Sequence, residues 1–492
     1  MSEEKLIKND LTSTPIGRYE IVKGLGKKVF GESHIKLTKT VDQSDIDITM
    51  DFWKKVIVMT YPPVHATLFE HTLFMAPEAA QRLAHTLKLD ELLARFITLH
   101  HETGRLVDPG EFVRNDFIDN RLLFEFGIPE QIRNEFPPIW GFVQTAEKIE
   151  ALVKDRDEGN QLKRQRAMEE DLIEDQKTEA QKFFNLLTPM QRVVNLADNF
   201  GKRDEQGNLF TREIYLEYLK MQDKVYRGES PWRSSDRAIK VLPHIILLQK
   251  FVIEKTIDWI SEQGVDLVEI LKSLDNYGPK LVVLARHGEP DNPDKIPYAQ
   301  DRLMDITIHL TEKGRMQLRS LGELMKDRKF RFAKIVASHS ARAKESADAC
   351  NEVLSIKDSA VSDQLDDGAF PGPYRSGMTT DEVRKLGAAY YADPRFKKDA
   401  EETEDDIVRR MNQIYLETVN SLKPGQTGLL VSHSAPIALL VEFLMNKKIS
   451  PLEDLDKLVS LRPGEAVVII IDPQGNFFTD YVLKNSLSND EK

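Results

Sequence analysis

The chain has 492 residues, of which 41% are apolar, so it can fill two or three hydrophobic cores. Its 68 basic and 80 acidic side chains leave a net charge of −12, which excludes a general attraction to nucleic acid or to anionic membrane surfaces. The single cysteine, Cys350, excludes an internal disulfide framework and indicates a cytoplasmic location. We expect no signal peptide, because the amino-terminal stretch MSEEKLIKND lacks an apolar core, and no membrane span, because the longest apolar stretch, residues 429–445, is interrupted by His433, Pro436 and Glu442.

The first 50 residues contain a glycine-rich stretch, GLGKKVFGES, which begins at Gly24. A phosphate-binding loop of the Walker type needs Lys followed by Ser or Thr after its last glycine, and this stretch lacks that pair. We therefore predict an ordinary glycine turn without a function here and assign no role to residues 1–50.

Residues 51–277 have a helical pattern. Apolar residues recur every three or four positions in stretches such as EAAQRLAHTLKLDELLARFITLHH and TPMQRVVNLADNF, which predicts an all-α domain. Within it, residues 145–182 are densely charged and have few apolar positions. We interpret this segment as an inserted, solvated helix or helical hairpin.

The pattern changes after Tyr277, Gly278 and Pro279, where we place the domain boundary. Short β-branched runs then alternate with amphipathic helices; the runs are KLVVLA, AKIVAS, TGLLVS and AVVIIID. This alternation predicts βα units, and therefore an α/β domain over residues 279–485 whose mainly parallel sheet carries helices on both faces. Residues 486–492 form a polar tail.

Residues suited to phosphate chemistry follow three of these strands. RHGEP comes after the first, SHSARAKESA after the second and HSAP after the third. Because the carboxyl ends of parallel strands build the ligand crevice, we expect Arg286, His287, Arg342 and His433 to meet there. Arginine binds phosphate oxygens bidentately, and a neutral imidazole nitrogen can attack phosphorus.

These motifs resemble those of the histidine phosphatase superfamily, the relatives of the cofactor-dependent phosphoglycerate mutases. The resemblance implies that His287 is the nucleophile that forms a phosphohistidine. It also implies that Arg286 and Arg342 clamp the phosphate and that His433 is a further donor in the transition state. The stretch LTEKGRMQ resembles the family's first helix, with Thr311 as its N-cap. The chemistry requires no metal in this domain.

The family places the proton donor for the leaving group in an acidic loop after the second βα unit. The corresponding stretch here is SDQLDDGAFPG, and we predict that Asp366 is the general acid, with Asp367 in reserve. The mutases extend the first motif with Trp and Asn, whereas this chain continues PDNPDKIPYAQ. We therefore predict net hydrolysis of a small phosphorylated metabolite, whose identity depends on loops such as 291–305 and 368–380.

The helical half resembles the HD-domain phosphohydrolases, in which histidines and aspartates hold a divalent metal that activates water. HHETGR is similar to the family's HDIGR, and the resemblance implies a metal site made of His71, His101, Glu102 and Asp198. Glu102 departs from the family's aspartate by one methylene group, yet its carboxylate could still bind Mg²⁺, Mn²⁺ or Fe. We interpret three other histidines as surface or packing residues, namely His65, His85 and His100.

Two alternatives to a simple phosphatase follow from these motifs. The chain could be a bifunctional enzyme whose main activity is metal-dependent hydrolysis of a nucleotide in the helical half. It could instead be a non-catalytic module that senses a phosphorylated ligand. Without metal, the helical half would serve as a scaffold, a dimerisation surface or a ligand sensor.

Overall fold

The protein divides into two compact units, Met1–Tyr277 and Gly278–Lys492. The computed structural model describes residues 15–31, 33–60, 70–101, 103, 121–152, 172–200, 236–291, 307–367, 402–445 and 461–483. Within those ranges, every helix is too short or too polar to cross a membrane.

The described part of the first unit is entirely helical, as the sequence pattern predicts. Its α-helices are α1 (Pro15–Val29), α2 (His34–Thr38), α3 (Gln43–Thr60), α4 (Ala76–Thr86), α5 (Glu91–His100), α6 (121–126), α7 (Glu130–Arg133), α8 (Ile139–Ala151), α9 (Glu174–Leu186), α10 (Pro189–Phe200), α11 (Asp236–Glu262) and α12 (Leu267–Leu274). A π-helical turn, His71–Met75, leads directly into α4.

The described residues of the amino-terminal segment, from residue 15 onwards, pack into the core of this unit. Helix α3 runs through residue 50, where we had separated the first segment from the helical domain. The ring of Phe30 lies 5.8 Å from that of Phe52 and 5.5 Å from that of Phe126, measured between centroids. Residues 15–50 are therefore part of the helical unit, because their apolar side chains complete its core.

The first two glycines of this stretch do not form the turn that we predicted, whereas Gly31 lies in a turn just after α1. Gly24 and Gly26 both lie inside α1. A Cβ atom added at Gly26 would lie 2.0 Å from the nearest ring atom of Phe126, whereas one at Gly24 would have nothing within 4 Å. The glycine at position 26 thus allows a close contact between a helix and an aromatic ring, and this packing compensates for the low helix propensity of glycine.

We expect the Gly26→Ala substitution to destabilise the helical unit by about 1–3 kcal/mol, because Phe126 is fully buried among other rings and cannot move away. That cost exceeds the gain in helix propensity of about 1 kcal/mol. Gly24→Ala is the matched control, and we expect it to be neutral or stabilising. Denaturant unfolding of the full chain would measure both, and equal stabilities for the two variants would contradict this packing argument.

The described ends of the charged segment are helical and partly buried. Of its residues, Ile149 of α8 and Ala180 of α9 belong to a buried cluster that also includes the neighbouring Phe142 and Phe183 and Leu248 of α11. Residues 153–171, the most highly charged part, lie outside the described residues. The apolar stripe of this segment is thus a core-forming surface where it is described.

The second unit is an α/β domain. Its strands are β1 (Lys280–Arg286), β2 (Phe332–Ala337), β3 (Asp358–Val361), β4 (Thr427–Ser432), β5 (Ala466–Ile471) and β6 (Phe477–Leu483). Its helices are α13 (Glu312–Asp327), α14 (Ala341–Leu354), a 3₁₀ turn (Asp363–Leu365), α15 (Glu404–Ser421) and α16 (Ser434–Leu444). The sheet has the order β3-β2-β4-β1-β5-β6.

The sheet is mixed, which refines the prediction of a mainly parallel sheet. Strands β1 to β4 pair in parallel, but β5 is antiparallel to both β1 and β6. A tight turn with Gly475 at φ 85° joins β5 to β6, and a hairpin of this kind requires antiparallel pairing. Strands β3 and β6 were not predicted; β3 is a four-residue edge strand whose residues are all exposed and lack an apolar pattern.

Candidate functional site

The register of the sheet brings three strand ends to one edge. Arg286 of β1 lies opposite Ser432 of β4, and Ala337 of β2 lies opposite Val431 of β4. The residues that directly follow these strands, His287, Ser338 and His433, therefore lie next to one another at this edge of the sheet. The backbone N–H of His287 donates to the carbonyl oxygen of Ser432 at 3.1 Å, which ties the first of these residues to the third strand.

Arg342 joins the two histidines of this edge. It lies in the first turn of α14, whose N-cap, Ser340, accepts a hydrogen bond from Ala343 N, and its side chain is buried. Its Nε donates to His287 Nε2 at 3.3 Å, and its Nη2 donates to His433 Nδ1 at 3.2 Å. The two imidazole rings are 5.0 Å apart between centroids. Three of the four predicted core residues are thus in direct contact.

The fourth, Arg286, ends β1 beside the histidines. Its Nη1 donates to the carbonyl oxygen of Leu461 at 2.6 Å, which orients the half-buried guanidinium. Burial lowers the pKa of His433, and the charges of Arg342 and Arg286 lower it further. Both arginines therefore contribute positive charge where a phosphate would bind.

The hydrogen-bond pattern determines the tautomer of His287. Its Nδ1 is 2.7 Å from the carbonyl oxygen of Gly288, which can only accept, so Nδ1 carries the hydrogen and Nε2 carries the lone pair. Burial lowers the pKa of His287 well below its ordinary value, and His433, Arg342 and Arg286 lower it further. The imidazole is consequently neutral, with its lone pair directed towards Arg342.

The glycine of the RHGE motif is required by close backbone packing. A Cβ atom at Gly288 would lie 2.4 Å from the carbonyl oxygen of Gly314, in the first turn of α13. The predicted N-cap of that helix is confirmed, because Thr311 Oγ1 accepts from Gly314 N at 2.9 Å. Ser346 accepts from the Gly288 backbone N–H at 3.0 Å. The loop carrying His287 is thereby held from two sides.

The two aspartates of the acidic loop have different surroundings. Asp366 Oδ1 accepts from Ser338 Oγ and from His339 N, both at 2.8 Å. Asp367 Oδ2 instead lies 3.7 Å from His433 Nδ1 and 4.0 Å from Arg342 Nη2, and its side chain is 32% exposed. The carboxylate of Asp367, our reserve choice, therefore faces His433 and Arg342 directly, whereas that of Asp366 reaches His433 through Ser338.

Sequence reasoning missed two residues that shape this loop. Arg410 of α15 donates from Nη1 to the carbonyl oxygens of Gln364 and Asp366, both at 2.8 Å, and its Nε pairs with Glu402 at 2.6 Å. Ser338 connects Asp366 to His433. The position of Ser338 directly after a predicted strand was a usable signal, whereas a single arginine on an amphipathic helix offers none.

In the helical unit, the structure brings three of the predicted metal ligands together. His71 begins the π-helical turn, His101 follows α5 and Asp198 lies in the last turn of α10. Asp198 Oδ1 is 2.9 Å from His71 Nε2 and 3.0 Å from His101 Nε2, and the two nitrogens are 3.3 Å apart. Packing of α4, α5 and α10 against one another creates this cluster.

The donor set of this cluster fits a divalent cation. Ligand atoms that bind an ion at right angles, each at about 2.1 Å, are about 3.0 Å apart, close to the three separations observed. His101 Nδ1 donates to the carbonyl oxygen of Thr98, which leaves the lone pair of neutral His101 on Nε2, facing the carboxylate. Two acceptors at that distance require a proton or a cation between them.

The other predicted residues of the helical unit divide into three groups. Glu102, the fourth predicted ligand, and His65 lie outside the described residues. His100 is fully buried among aromatic rings, and burial lowers its pKa to about 3, followed by the effect of His101. His85 is exposed and pairs with Glu91. These two histidines therefore have the packing and surface roles that we predicted.

Comparison with known proteins places the second unit in a family. Residues 282–481 match the histidine phosphatase superfamily (branch 1). Similar solved structures include mycobacterial glucosyl-3-phosphoglycerate phosphatase, with 21% identity over 42% of this chain and 100% of that one at a TM-score of 0.34. Another is Bacillus stearothermophilus YhfR, with 23% identity over 41% of this chain and 95% of that one at a TM-score of 0.32. No curated protein matched.

The family match includes both histidines, both arginines and the acidic loop between Arg342 and His433. The carboxy-terminal part of this chain is therefore a histidine phosphatase superfamily domain.

Proposed function

We propose that the carboxy-terminal unit is a phosphomonoesterase that hydrolyses a small phosphorylated metabolite through a phosphohistidine on His287. The observation that carries the proposal is the contact of one buried arginine, Arg342, with the Nε2 of His287 and the Nδ1 of His433. A phosphate dianion that entered between them would replace these contacts with charge-assisted hydrogen bonds. A neutral nucleophile in a cationic pocket is the combination that phosphoryl transfer from an anion requires.

In the first step, the lone pair of His287 Nε2 attacks phosphorus, and the bond between phosphorus and the ester oxygen breaks. The carboxylic acid of Asp367 gives its proton to the leaving alkoxide, so an alcohol departs. In the second step, water attacks the phosphohistidine while the Asp367 carboxylate accepts a proton from that water. Inorganic phosphate leaves, and neutral His287 with protonated Asp367 is restored. Arg286, Arg342 and His433 hold the phosphoryl oxygens throughout.

The direct test is hydrolysis of p-nitrophenyl phosphate by the full chain in excess EDTA, with orthovanadate as an inhibitor. We expect turnover that survives the chelator and stops with vanadate. Activity that requires added Mn²⁺ or Mg²⁺ would favour the helical unit as the enzyme. If the protein binds inorganic phosphate but hydrolyses none of a panel of phosphoesters, the unit is a phospholigand-sensing module.

A second candidate function belongs to the helical unit. The cluster of His71, His101 and Asp198 favours a divalent metal site of the kind found in HD-domain phosphohydrolases. These three residues would hold Mg²⁺, Mn²⁺ or Fe, and such an ion supplies an activated water for attack on a phosphate ester or anhydride of a nucleotide. The hydrogen bond from His101 Nδ1 to Thr98 keeps the ring oriented with Nε2 towards the cluster.

Metal content and thermal stability test this second candidate without any assay of activity. We expect purified full-length protein to bind Mn²⁺ or Fe and to unfold at a higher temperature when metal is added, because saturation at a hundred times Kd stabilises by about 2.7 kcal/mol. His71→Ala should abolish both effects, whereas His85→Ala, at an exposed position, should retain them. Equal metal binding by the two variants would show that the cluster is not the site.

A further inference from the structure

Ser338 is a buried hydroxyl group that links the acidic loop to a catalytic histidine. Its Oγ is 2.8 Å from Asp366 Oδ1, 3.0 Å from His433 Nε2, 3.3 Å from the backbone nitrogen of Ser340 and 3.4 Å from Ser340 Oγ. A serine hydroxyl has one hydrogen and two lone pairs. It can therefore donate to only one of these neighbours, the closest of which is Asp366 Oδ1, and its two lone pairs can accept from the Ser340 N–H and from His433.

The recipient of that hydrogen is Asp366. Its Oδ1 also accepts from the His339 backbone N–H at 2.8 Å, so this carboxyl oxygen is an acceptor and the hydroxyl donates to it. Ser338 Oγ must then accept from His433, so Nε2 of that ring carries a hydrogen. The contact of the second ring nitrogen supports the same tautomer independently. Arg342 Nη2 can only donate a hydrogen bond, so Nδ1 of His433 must accept it and carries no hydrogen.

We propose that Asp366 is a positioning residue, which acts through Ser338 to hold His433 with a hydrogen on Nε2 and with Nδ1 facing the phosphate. This inference rests on the proposed phosphatase function of the same site and gives Asp366 a role different from that of the general acid. When a phosphate dianion binds, Nδ1 takes up a proton from solution and donates it in a hydrogen bond to a phosphoryl oxygen. The Asp366 carboxylate then stabilises the resulting imidazolium through the Ser338 hydroxyl, as a buried carboxylate does for a catalytic histidine in other hydrolases.

The charge of Asp366 matters because cations dominate the surroundings of His433. The charged and titratable groups that face it are Arg286 and His287 at the end of β1, Arg342 of α14, Arg410 of α15, and Asp366 and Asp367 of the acidic loop. Burial, followed by the three arginines, lowers the pKa of His433. Neutralising Asp366 would lower that pKa further, so less imidazolium would be present at neutral pH when phosphate is bound.

The test is a nitrogen NMR titration of the histidines in the full chain, saturated with inorganic phosphate, with His433→Gln used to assign the signal. We expect the free protein to have its hydrogen on Nε2 of His433. In the complex, the titration midpoint of His433 should fall by about one pH unit in Asp366→Asn and in Ser338→Ala. Ser338→Thr retains the hydroxyl and should restore the midpoint. Asp363→Asn, at an exposed position of the same loop, is the charge-matched control and should not change it.

Kinetics give a second readout with p-nitrophenyl phosphate, whose leaving group departs without a proton. The alkaline limb of kcat should move to lower pH in Asp366→Asn and Ser338→Ala, with kcat at neutral pH about 10-fold lower and KM little changed. Midpoints and profiles equal to those of Asp363→Asn would overturn the proposal. The NMR measurement requires only that the protein binds phosphate. A wild-type protein without turnover would therefore count against the phosphatase function, while the NMR titration would still test the positioning role of Asp366.

Discussion

Replacing His287 by Ala is expected to lower kcat for every phosphomonoester by at least about 10⁴-fold, because the nucleophile that forms the covalent intermediate is lost. Rapid mixing of the wild type with a labelled phosphoester, followed by an alkaline quench, should trap phosphohistidine, which is stable in alkali and labile in acid. No such acid-labile phosphate should accumulate on the variant. The residual rate would come from the arginines and His433, which still bind the substrate.

The pH dependence follows from the low pKa of His287. Burial is the main cause, with His433, Arg342 and Arg286 adding to it, so the imidazole is neutral at pH values well below its ordinary pKa of 6.5. The nucleophilic form is lost only as the pH falls through this lowered value. We therefore expect kcat/KM to show no acid limb near pH 6.5 due to His287. If an acid limb is nevertheless seen near that pH, and if it disappears in an active variant that lacks a different histidine, the limb belongs to that histidine and not to His287.

The exposed His309 provides a control for the loss of an imidazole near the same strands. It pairs with Glu345 at 2.6 Å, outside the contacts between His287, Arg342 and His433. His309→Ala should retain phosphoenzyme formation. If His287→Ala keeps wild-type activity in EDTA while remaining folded, the phosphohistidine route is wrong.

The Asp367→Asn substitution should lower kcat for alkyl phosphates by about 10²–10⁴-fold, because an alkoxide cannot leave without a proton. With p-nitrophenyl phosphate, formation of the phosphoenzyme needs no acid, but its hydrolysis still needs a base for the attacking water. A burst of p-nitrophenolate followed by a slow steady state is therefore expected. Stopped-flow absorbance would measure the burst, and trapped phosphohistidine should accumulate.

Asp366→Asn is the matched comparison, since it removes the same charge from the adjacent residue. Because Asp366 contacts Ser338 and the backbone of His339, we expect it to affect alkyl and aryl phosphates to a similar extent and to produce no burst. A burst with Asp366→Asn and none with Asp367→Asn would return the role of general acid to Asp366, as the sequence motif alone had suggested.

Much of the candidate site could be predicted because it follows strand ends. The β-branched runs before Arg286, before Ser338 and before His433 were recognisable, and parallel strands place their carboxyl ends at one edge. The order of Asp366 and Asp367 could not be predicted. Adjacent residues in a short loop point in different directions, and their directions depend here on the contacts made by Arg410 and Ser338, which come from distant parts of the chain.

The same division holds for the helical unit. Helical periodicity predicted the helices, and the order of histidines and aspartates predicted which residues could hold a metal. Periodicity could not predict the role of Gly26, because glycines in a sequence usually indicate a turn. In the folded unit, the ring of Phe126, a hundred residues away, occupies the space that a side chain at position 26 would need.

The sequence by itself determined the helical and α/β units, the boundary region near Tyr277 and the residue types for phosphate chemistry, because these depend on local periodicity and on motifs at strand ends. The tertiary structure alone decided the antiparallel β5, the tautomers of His287 and His433 and the different surroundings of the two aspartates. These features depend on hydrogen bonds between residues far apart in the chain, and their geometry exists only once the sheet has formed.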